Sequence, residues 1–529
     1  MKLYIFVFFS AMLVLVGCST TEPTFKVIHE PSKTLVVKGD TSLKRHLHKT
    51  DKKLSNNSAF YSLDLPVDAL AARLFLIDHA KKSLNVQYYI YEDDTIGKIF
   101  SGHLLLAAKR GVKVRILLDD LSTSGKDEAL QKLALHPNVE LRLFNPNKLR
   151  TSFRNLALLF NINSLGKRMH NKSLIADGYA AIIGGRNIGD VYFAATDETL
   201  FLDYDVLSIG KVVPEISHAF DVYWNSEQAI PLAEVIGKSD VKYQEIEKEF
   251  SQQLSKGLEK FEKSRFGLAV KNAKFSKKIR SKTLFLTVSS HADLYYDEPS
   301  KVANDENDNT THISKKLSKD LREVESNLIV ISPYFIPSDE MMERMKYLRK
   351  KGVKITIVTN SLASTDVSPV YAGYQGYIKA LVSMGIDLYE LKPHSFTELL
   401  EKKELKKIPR LSLHTKMIIM DKNILAVGSA NIDPRSDKLN TELLMVITSK
   451  SLTQEERENL KDVLNLNNFY KLSWGEYPKQ FTEDPVQFGP IWYTIEEGNE
   501  KYYYERPEVG FFKALGTDMM SVLPIKGYL

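Results

Sequence analysis

A chain of 529 residues exceeds what one hydrophobic core ordinarily serves and points to two or three domains. Its 43% hydrophobic and 26% charged residues exclude both a disordered chain and one embedded throughout in a membrane. The net charge of +6 arises from 72 Lys and Arg scattered among 66 Asp and Glu, which implies mild attraction to anionic surfaces and no concentrated nucleic-acid groove.

The first segment, MKLYIFVFFSAMLVLVGC, has a short basic start, an apolar run of signal-peptide length and a small residue before the sole cysteine. It resembles a bacterial lipoprotein signal over residues 1–17, with Leu15, Val16, Gly17 and Cys18 as lipobox. The alternative is a spanning anchor, for which roughly 14 apolar residues are few against the about 20 required. Without a second cysteine the mature chain forms no internal disulfide, and two or more acyl chains on Cys18 would anchor it stably. Similarity to enterobacterial lipoprotein sorting, with Ser19 following the cysteine, implies the periplasmic face of the outer membrane. Residues 18–58 are polar, lysine-rich and poor in periodicity, which predicts a tether in which His46 and His48 are solvated rather than metal-bound.

From Lys81 the sequence reads KKSLNVQYYIYEDDTIGKIFSGHLLLAAKRGVKVRILLDD, an apolar run, acidic caps, a helical pattern, a glycine stop and a second apolar run. This predicts a strand, helix, strand unit, with Asp93 and Asp94 capping the helix and Gly111 ending it. The pattern returns as ESNLIVISPYFIPSDEMMERMKYLRKKGVKITIVTN, and KKGVKITIV repeats KRGVKVRIL with Gly352 standing 241 residues after Gly111. NVELRLFNP is likewise echoed by GIDLYELKP, Pro393 following Pro146 by 247 residues. The chain therefore contains two copies of one α/β unit.

RMHNKSLIADGYAAIIGGRN, ending at Asn187, has its echo in LHTKMIIMDKNILAVGSAN, ending at Asn431. Each copy carries His-x-Lys-x4-Asp: His170, Lys172 and Asp177, then His414, Lys416 and Asp421, 244 residues on. Fifteen residues after each His stands a small residue, Gly185 or Ser429, and seventeen after it Asn187 or Asn431. In extended chain, residues two apart share a face, so each His and Lys point together while Ile175 packs elsewhere. A lysine on an apolar strand needs water, a carboxylate or an anion for its charge, and two of them related by a repeat suit one shared anion. Asp177 and Asp421 follow the apolar stretch where a turn is expected, which predicts that they cap a turn or hold the strand pair. Asp205 in FLDYDVLSIG and Glu442 in NTELLMVI are the candidates to orient the imidazoles, because a carboxylate on one ring nitrogen fixes the tautomer.

These residues resemble the phospholipase D superfamily, whose signature is two HxKxxxxD motifs, here HNKSLIAD followed by GGRN and HTKMIIMD followed by GSANIDPRS. NVQYYIYEDD, GGRNIGDVYF, SPYFIP and SVLPIKGYL are most similar to its cardiolipin synthase C-like branch. The resemblance implies two phospholipase D-like α/β/α sandwich domains related by pseudo-twofold symmetry around one active site, at residues 59–235 and 286–475. It implies His170 as nucleophile, His414 as acid and base, and the motif residues Asp177 and Asp421 as part of the catalytic set. Lys172, Lys416, Asn187, Asn431 and Ser429 would hold the phosphate oxygens. No metal or cofactor is implied, and the sequence has no HExxH or CxxC. Arg186 and Arg435 are left open between gripping a second phosphate and pairing with acids.

The function so implied is a membrane-associated phosphatidyltransferase that makes cardiolipin from phosphatidylglycerol and a second phospholipid such as phosphatidylethanolamine. The alternatives are hydrolysis of phospholipids to phosphatidic acid, a nuclease, and a non-catalytic lipid-binding lipoprotein, which the intact double motif disfavours. Phospholipids are the expected partners and nucleic acid is not. Residues 236–285 predict a charged, solvated helical connection, and residues 476–529 a C-terminal extension. In that extension Phe511, Phe512, Leu515, Met519 and Val522 recur at near-helical spacing, and packing on the second domain is favoured over lying on a bilayer.

Overall fold

The apolar run SLNVQY and its echo NLIVI become central strands of two sheets in the computed structural model of the chain, which describes residues 30–49, 54, 56–147, 166–196, 198–303, 312–395, 410–478 and 487–522. The leader, Cys18 and the last residues from Leu523 lie outside the described residues. Pro31–Leu529 form one unit by their internal contacts.

The first sheet draws on β1 (Ser58–Leu63), β2 (Ser83–Tyr88), β3 (Lys113–Asp119), β4 (Val139–Phe144), β5 (Ser173–Ala176) and β6 (Ala180–Gly184). After β7 (Thr199–Leu202) it continues with β8 (Asp205–Gly210), β9 (Ala229–Pro231) and β10 (Thr287–Ser289), in the order β10-β1-β8-β6-β5-β2-β3-β4-β9. The second sheet comprises β11 (His291–Tyr296), β12 (Asn327–Ile331), β13 (Lys354–Asn360) and β14 (Asp387–Leu391). Past β15 (Arg410–Leu413) come β16 (Met417–Met420), β17 (Ile424–Gly428), β18 (Leu443–Thr448), β19 (Phe469–Glu476), β20 (Phe488–Glu496) and β21 (Asn499–Tyr503). Its order is β11-β18-β17-β16-β12-β13-β14-β19-β20-β21, so the eight strands β11 to β19 without β15 repeat the arrangement of β1 to β9 without β7 in the first sheet. In each half the three strands joined by crossovers, β2-β3-β4 and β12-β13-β14, are parallel, as βαβ connections require. The remaining pairs within both sheets are antiparallel.

Strand alternation builds three layers of core. Along β5, Leu174 and Ala176 face the helices outside the first sheet, and Ile175 faces the space between the sheets. Along β16, Ile418 and Met420 face outward and Met417 and Ile419 inward. The inner layer joins Phe60, Ile183, Tyr223 and Trp224 of the first half to Val358, Met417, Ile419 and Met445 of the second. At about 1.5–3 kcal/mol for each large apolar side chain buried, that layer holds the halves as one body. The short sheet β7-β15 makes the same join through the backbone, pairing Leu202 with Leu413.

The predicted local signals sit where chain chemistry requires them. Asp94 caps the helix Thr95–Lys109 by accepting from Gly97 N–H at 2.9 Å. Asp93 points to Lys98 at the surface instead. Gly111 and Gly352 end equivalent helices at φ of +89° and +90°, a left-handed conformation that disfavours any side chain.

Three expectations are corrected. The tether is docked along residues 31–49: Val37 N–H donates to Asp177 O, Leu43 and Leu47 of helix α1 (Ser42–Leu47) are fully buried, and the Thr34 hydroxyl meets Asp221. Two leucines one turn apart, with Ser32 and Thr34 completing the polar shell of the buried Arg115, suffice to hold a segment without long periodicity. The connection is helical and solvated along its charged faces but is more than a strut, because helices Tyr243–Lys263, Arg265–Lys271 and Lys274–Arg280 bury Leu258, Phe261, Val270 and Phe275 in the first half's core. In the C-terminal extension β20 and β21 widen the second sheet and Trp492 is buried against Glu390. Finally, helix Phe511–Ser521 does not bury its apolar row. Thr517 is buried and Asp518 pairs with Arg506, but Phe511, Phe512, Leu515, Met519 and Val522 are 46–85% exposed. Among the described residues no helix is long and apolar enough to cross a membrane.

Candidate active site

His170 and Lys172 lie just before β5, and His414 and Lys416 just before β16, at the same end of two sheets that face one another. The end of the adjacent strand fixes each entry. Asp119, the last residue of β3, accepts from Met169 N–H at 2.9 Å, and its counterpart Asn360 at the end of β13 accepts from Leu413 N–H at 2.8 Å. His170 N–H then donates to Thr441 O at 2.9 Å, and His414 N–H to Leu202 O at 2.7 Å. Each motif thus runs beside the segment of the other half that carries an acid one residue further on.

That register exchanges the acids between halves. His170 Nδ1 is 2.9 Å from Glu442 Oε2, and His414 Nδ1 is 2.5 Å from Asp203 Oδ2. A carboxylate at Nδ1 holds the ring proton there and leaves Nε2 with its lone pair. Glu442 is itself held by the Ser429 and Ser436 hydroxyls, the latter at 2.8 Å. In the first half Gly185 replaces Ser429, and a Cβ there would come within 2.1 Å of Asp203 Oδ1. The glycine therefore makes room for the acid that serves His414.

The structure corrects the assignment of Asp205. Its Oδ2 accepts from Arg73 and Arg186 at 3.0 and 2.9 Å, away from both imidazoles. Register would have found Asp203: β6 pairs Ile183 with Val206 and β17 pairs Val427 with Met445, an offset of 239 that aligns Asp203 with Glu442 and Asp205 with Leu444. Arg186 is consumed by this internal pairing. Arg435 donates to Gly166 O at 2.8 Å.

Asp177 and Asp421 lie at the opposite ends of their strands from the imidazoles, so they do not take part in the site. Asp177 accepts from the backbone N–H groups of Lys81, Lys82 and Ser83 at 2.6–3.1 Å. Asp421 does the same for Glu325, Ser326 and Asn327 at 2.7–3.0 Å. Both have positive φ, 58° and 53°, so each closes a turn and locks it to the neighbouring strand. Asn187 is also committed locally, accepting from Ile90 N–H at 3.0 Å and donating to the Tyr192 hydroxyl at 2.9 Å. Asn431 Oδ1 is buried without a hydrogen-bond partner.

The pocket around the rings is tight. His170, Lys172, His414 and Lys416 are 1–7% exposed. Tyr89 packs edge-on to His170 at 5.0 Å with Lys172 over its ring, and Phe201 stacks on His414 at 5.2 Å. Each ammonium is held by the carbonyl of its own motif histidine at 2.5 Å. Burial lowers the His170 imidazole to about 4, with Glu442 opposing and Lys172 and then Lys416 adding to the effect. Burial and then Lys416 push His414 well below its ordinary value, and Lys172 and His170 contribute. Burial raises Asp203, against the pull of Lys416 and Arg186. For Glu442 burial acts upward but His170, Lys172 and Ser429 outweigh it, leaving a carboxylate held below the usual range. The mutual influences run across both halves, so the two motifs form one electrostatic site. Among the described residues no group of three or more His, Cys, Asp and Glu is placed to hold a metal ion.

The family model described as "Cardiolipin synthase, PLD-like domain" matches residues 74–224 and 317–464, one stretch in each half. The chain is 35% identical over 471 residues to Cardiolipin synthase C of Escherichia coli (strain K12), covering 89% of this chain and 96% of that protein. It is 24% identical over 452 residues to the Major cardiolipin synthase ClsA of Bacillus subtilis (strain 168), covering 84% and 76%. Among solved structures, phosphatidylserine synthase of Haemophilus influenzae Rd KW20 superposes with a TM-score of 0.53 at 12% identity, covering 79% of this chain and 90% of the other, which supports the shared fold. A duplicated sheet, a double motif whose acids cross between halves, and these matches converge: the chain belongs to the phospholipase D superfamily, in its cardiolipin synthase branch.

Proposed function

We propose that the chain is a membrane-associated phosphatidyltransferase that forms cardiolipin from phosphatidylglycerol and a second phospholipid such as phosphatidylethanolamine, through a phosphohistidine. The observation that carries this reading is the reciprocal pairing of each imidazole with a carboxylate from the other half. In the first step His170 Nε2 attacks the donor phosphorus and the P–O bond to the headgroup alcohol breaks, the leaving oxygen taking a proton from His414. In the second, His414 takes the proton of the incoming phosphatidylglycerol hydroxyl, whose oxygen attacks phosphorus as the P–N bond breaks. His170 as nucleophile and His414 as acid and base follow the family resemblance of the two motifs.

Charge balance supports the two protonation states required. With both lysines protonated and both carboxylates ionised these four groups cancel, while burial lowers both ammonium groups and pushes both rings toward their uncharged forms. A phosphodiester anion adds one negative charge, which draws one proton onto the pair of imidazoles. Lys172 and Lys416 then lie where charge grows on the phosphoryl oxygens.

Membrane association is supported by the lipobox at Cys18 and by the exposed row on helix Phe511–Ser521. That helix is held on the second half by Asp518, which pairs with Arg506 and accepts from Gln375 at 3.5 Å. The exposed Phe511, Phe512 and Met519 would enter the headgroup region of a bilayer. Anchoring through Cys18 on the periplasmic face of the outer membrane completes this reading.

Purified protein incubated with vesicles of phosphatidylglycerol and phosphatidylethanolamine is expected to yield cardiolipin by mass spectrometry. Phosphatidic acid as the sole product would replace transfer by hydrolysis, and nicking of DNA without lipid turnover would make it a nuclease. In a flotation assay with the same vesicles, protein freed of its leader and Cys18 is expected to float, and a Phe511→Ser/Phe512→Ser variant to float several-fold less. Equal flotation of the two would remove the helix from the membrane contact.

A further inference from the structure

The two halves differ where their pseudo-symmetry would make them alike. In the first, a buried charge cluster fills the space beside the motif strands: Arg73 donates to Asp205 Oδ2 at 3.0 Å and to the Tyr88 hydroxyl at 3.1 Å, and Arg186 donates to the same carboxylate oxygen at 2.9 Å. All three charged residues are at most 1% exposed. Strand registers map them onto the second half, with an offset of 244 for the helix and motif positions and 239 for β8 onto β18. Arg73 becomes Leu317, Arg186 becomes Ala430 and Asp205 becomes Leu444.

These three substitutes line a cavity of about 570 Å³ between helices Ile313–Arg322 and Asp339–Lys350 and the start of β16. Leu321, Ile336 and Met341 extend its apolar wall, and its inner end reaches the site at Lys416, Asn431 and Glu442. There Asn431 Oδ1, in a residue 7% exposed, has no partner. The volume falls within the roughly 300–1,000 Å³ of ligand pockets, and the apolar stretch from Leu317 to Leu444 lies within a lining that also carries charged residues such as Lys315, Asp339, Arg344 and Lys438. Filling such a wall with water leaves dispersion and hydrophobic contacts unmade.

We propose that this cavity holds one acyl chain of a phospholipid whose phosphate lies at Lys416, so that the second half selects a lipid tail and the first half does not. This deepens the phosphatidyltransferase reading and rests on it. The chain threads past Ala430 into the space that Arg186 and its partners occupy in the first half. The second half accordingly has a cavity with apolar side chains at Leu317, Ala430 and Leu444 where the first has a charged filling, and the two lipids of one reaction meet unlike surroundings.

A phosphatidylglycerol analogue with a diazirine near the end of one acyl chain tests this. After photolysis in vesicles with the full-length protein, peptide mass spectrometry is expected to find adducts on Leu317, Leu321, Met341 or Leu444. Adducts confined to other segments would overturn the proposal. Independently, Leu317→Trp should lower the ratio of long-chain to dihexanoyl substrate kcat/KM about tenfold or more, in line with what filled hydrophobic pockets achieve. An unchanged ratio in a variant with wild-type circular dichroism counts against the cavity. Labelling of the cavity by a protein that makes no lipid product would sink the transfer reading and keep the binding site, and product without cavity labelling would do the reverse.

Discussion

Replacing His170 by alanine is expected to abolish lipid turnover, with a loss of about 10,000-fold or more in kcat because the covalent route disappears with its nucleophile. His414→Ala should be comparably slow on natural headgroups, since the departing alkoxide then leaves without a proton. The two variants separate on a donor with a good leaving group. With a ³²P-labelled phosphatidyl ester of 4-nitrophenol, His414→Ala should still accumulate acid-labile, base-stable label on the protein, whereas His170→Ala should accumulate none. Label on His170→Ala and none on His414→Ala would interchange the two roles. Label on neither, with wild type also unlabelled under rapid quench, would remove the covalent intermediate.

The exchanged carboxylates should be nearly as sensitive. Glu442→Gln and Asp203→Asn preserve size while removing the charge that fixes each ring, and a loss of about 100- to 10,000-fold in kcat with little change in KM is expected. Each acts through its histidine, so the slope and position of the pH profile should move along with the rate, which a merely structural defect would not do. Asp205→Asn is the contrasting variant. It leaves two buried guanidinium groups short of a carboxylate, for which the typical cost is about 3–5 kcal/mol. Its signature should be a lower unfolding midpoint in urea, with kcat retained in the fraction that stays folded. If instead Asp205→Asn lost rate like Asp203→Asn at wild-type stability, the placement of the two acids would be wrong.

The difference between Asp203 and Asp205 also marks how far a linear sequence could be read. Both stand in FLDYDV two residues apart, both face the same way by strand parity, and either is an acid near a motif. Choosing between them needs the register of β6 on β8 and, beyond it, the pairing of Leu202 with Leu413 across the halves. Gly185 shows the same dependence. Its lack of a side chain marked a departure from Ser429 in the repeat, but its purpose emerges only from the approach of Asp203 in space.

What the sequence determined by itself was everything written in local period and repetition: the two α/β units, the helix stops at Gly111 and Gly352, the paired His and Lys, and the turns closed by Asp177 and Asp421. Those signals are short-range, because alternation, capping and turn chemistry act within a few residues. Tertiary structure alone decided which acid serves which imidazole, how residues 31–49 dock, why helix Phe511–Ser521 keeps its apolar row outside, and that a charge cluster in one half faces a cavity in the other. The physical reason is common to all four: each depends on what a side chain meets from a segment remote in sequence, and the energy of burial or pairing belongs to that meeting rather than to either segment alone.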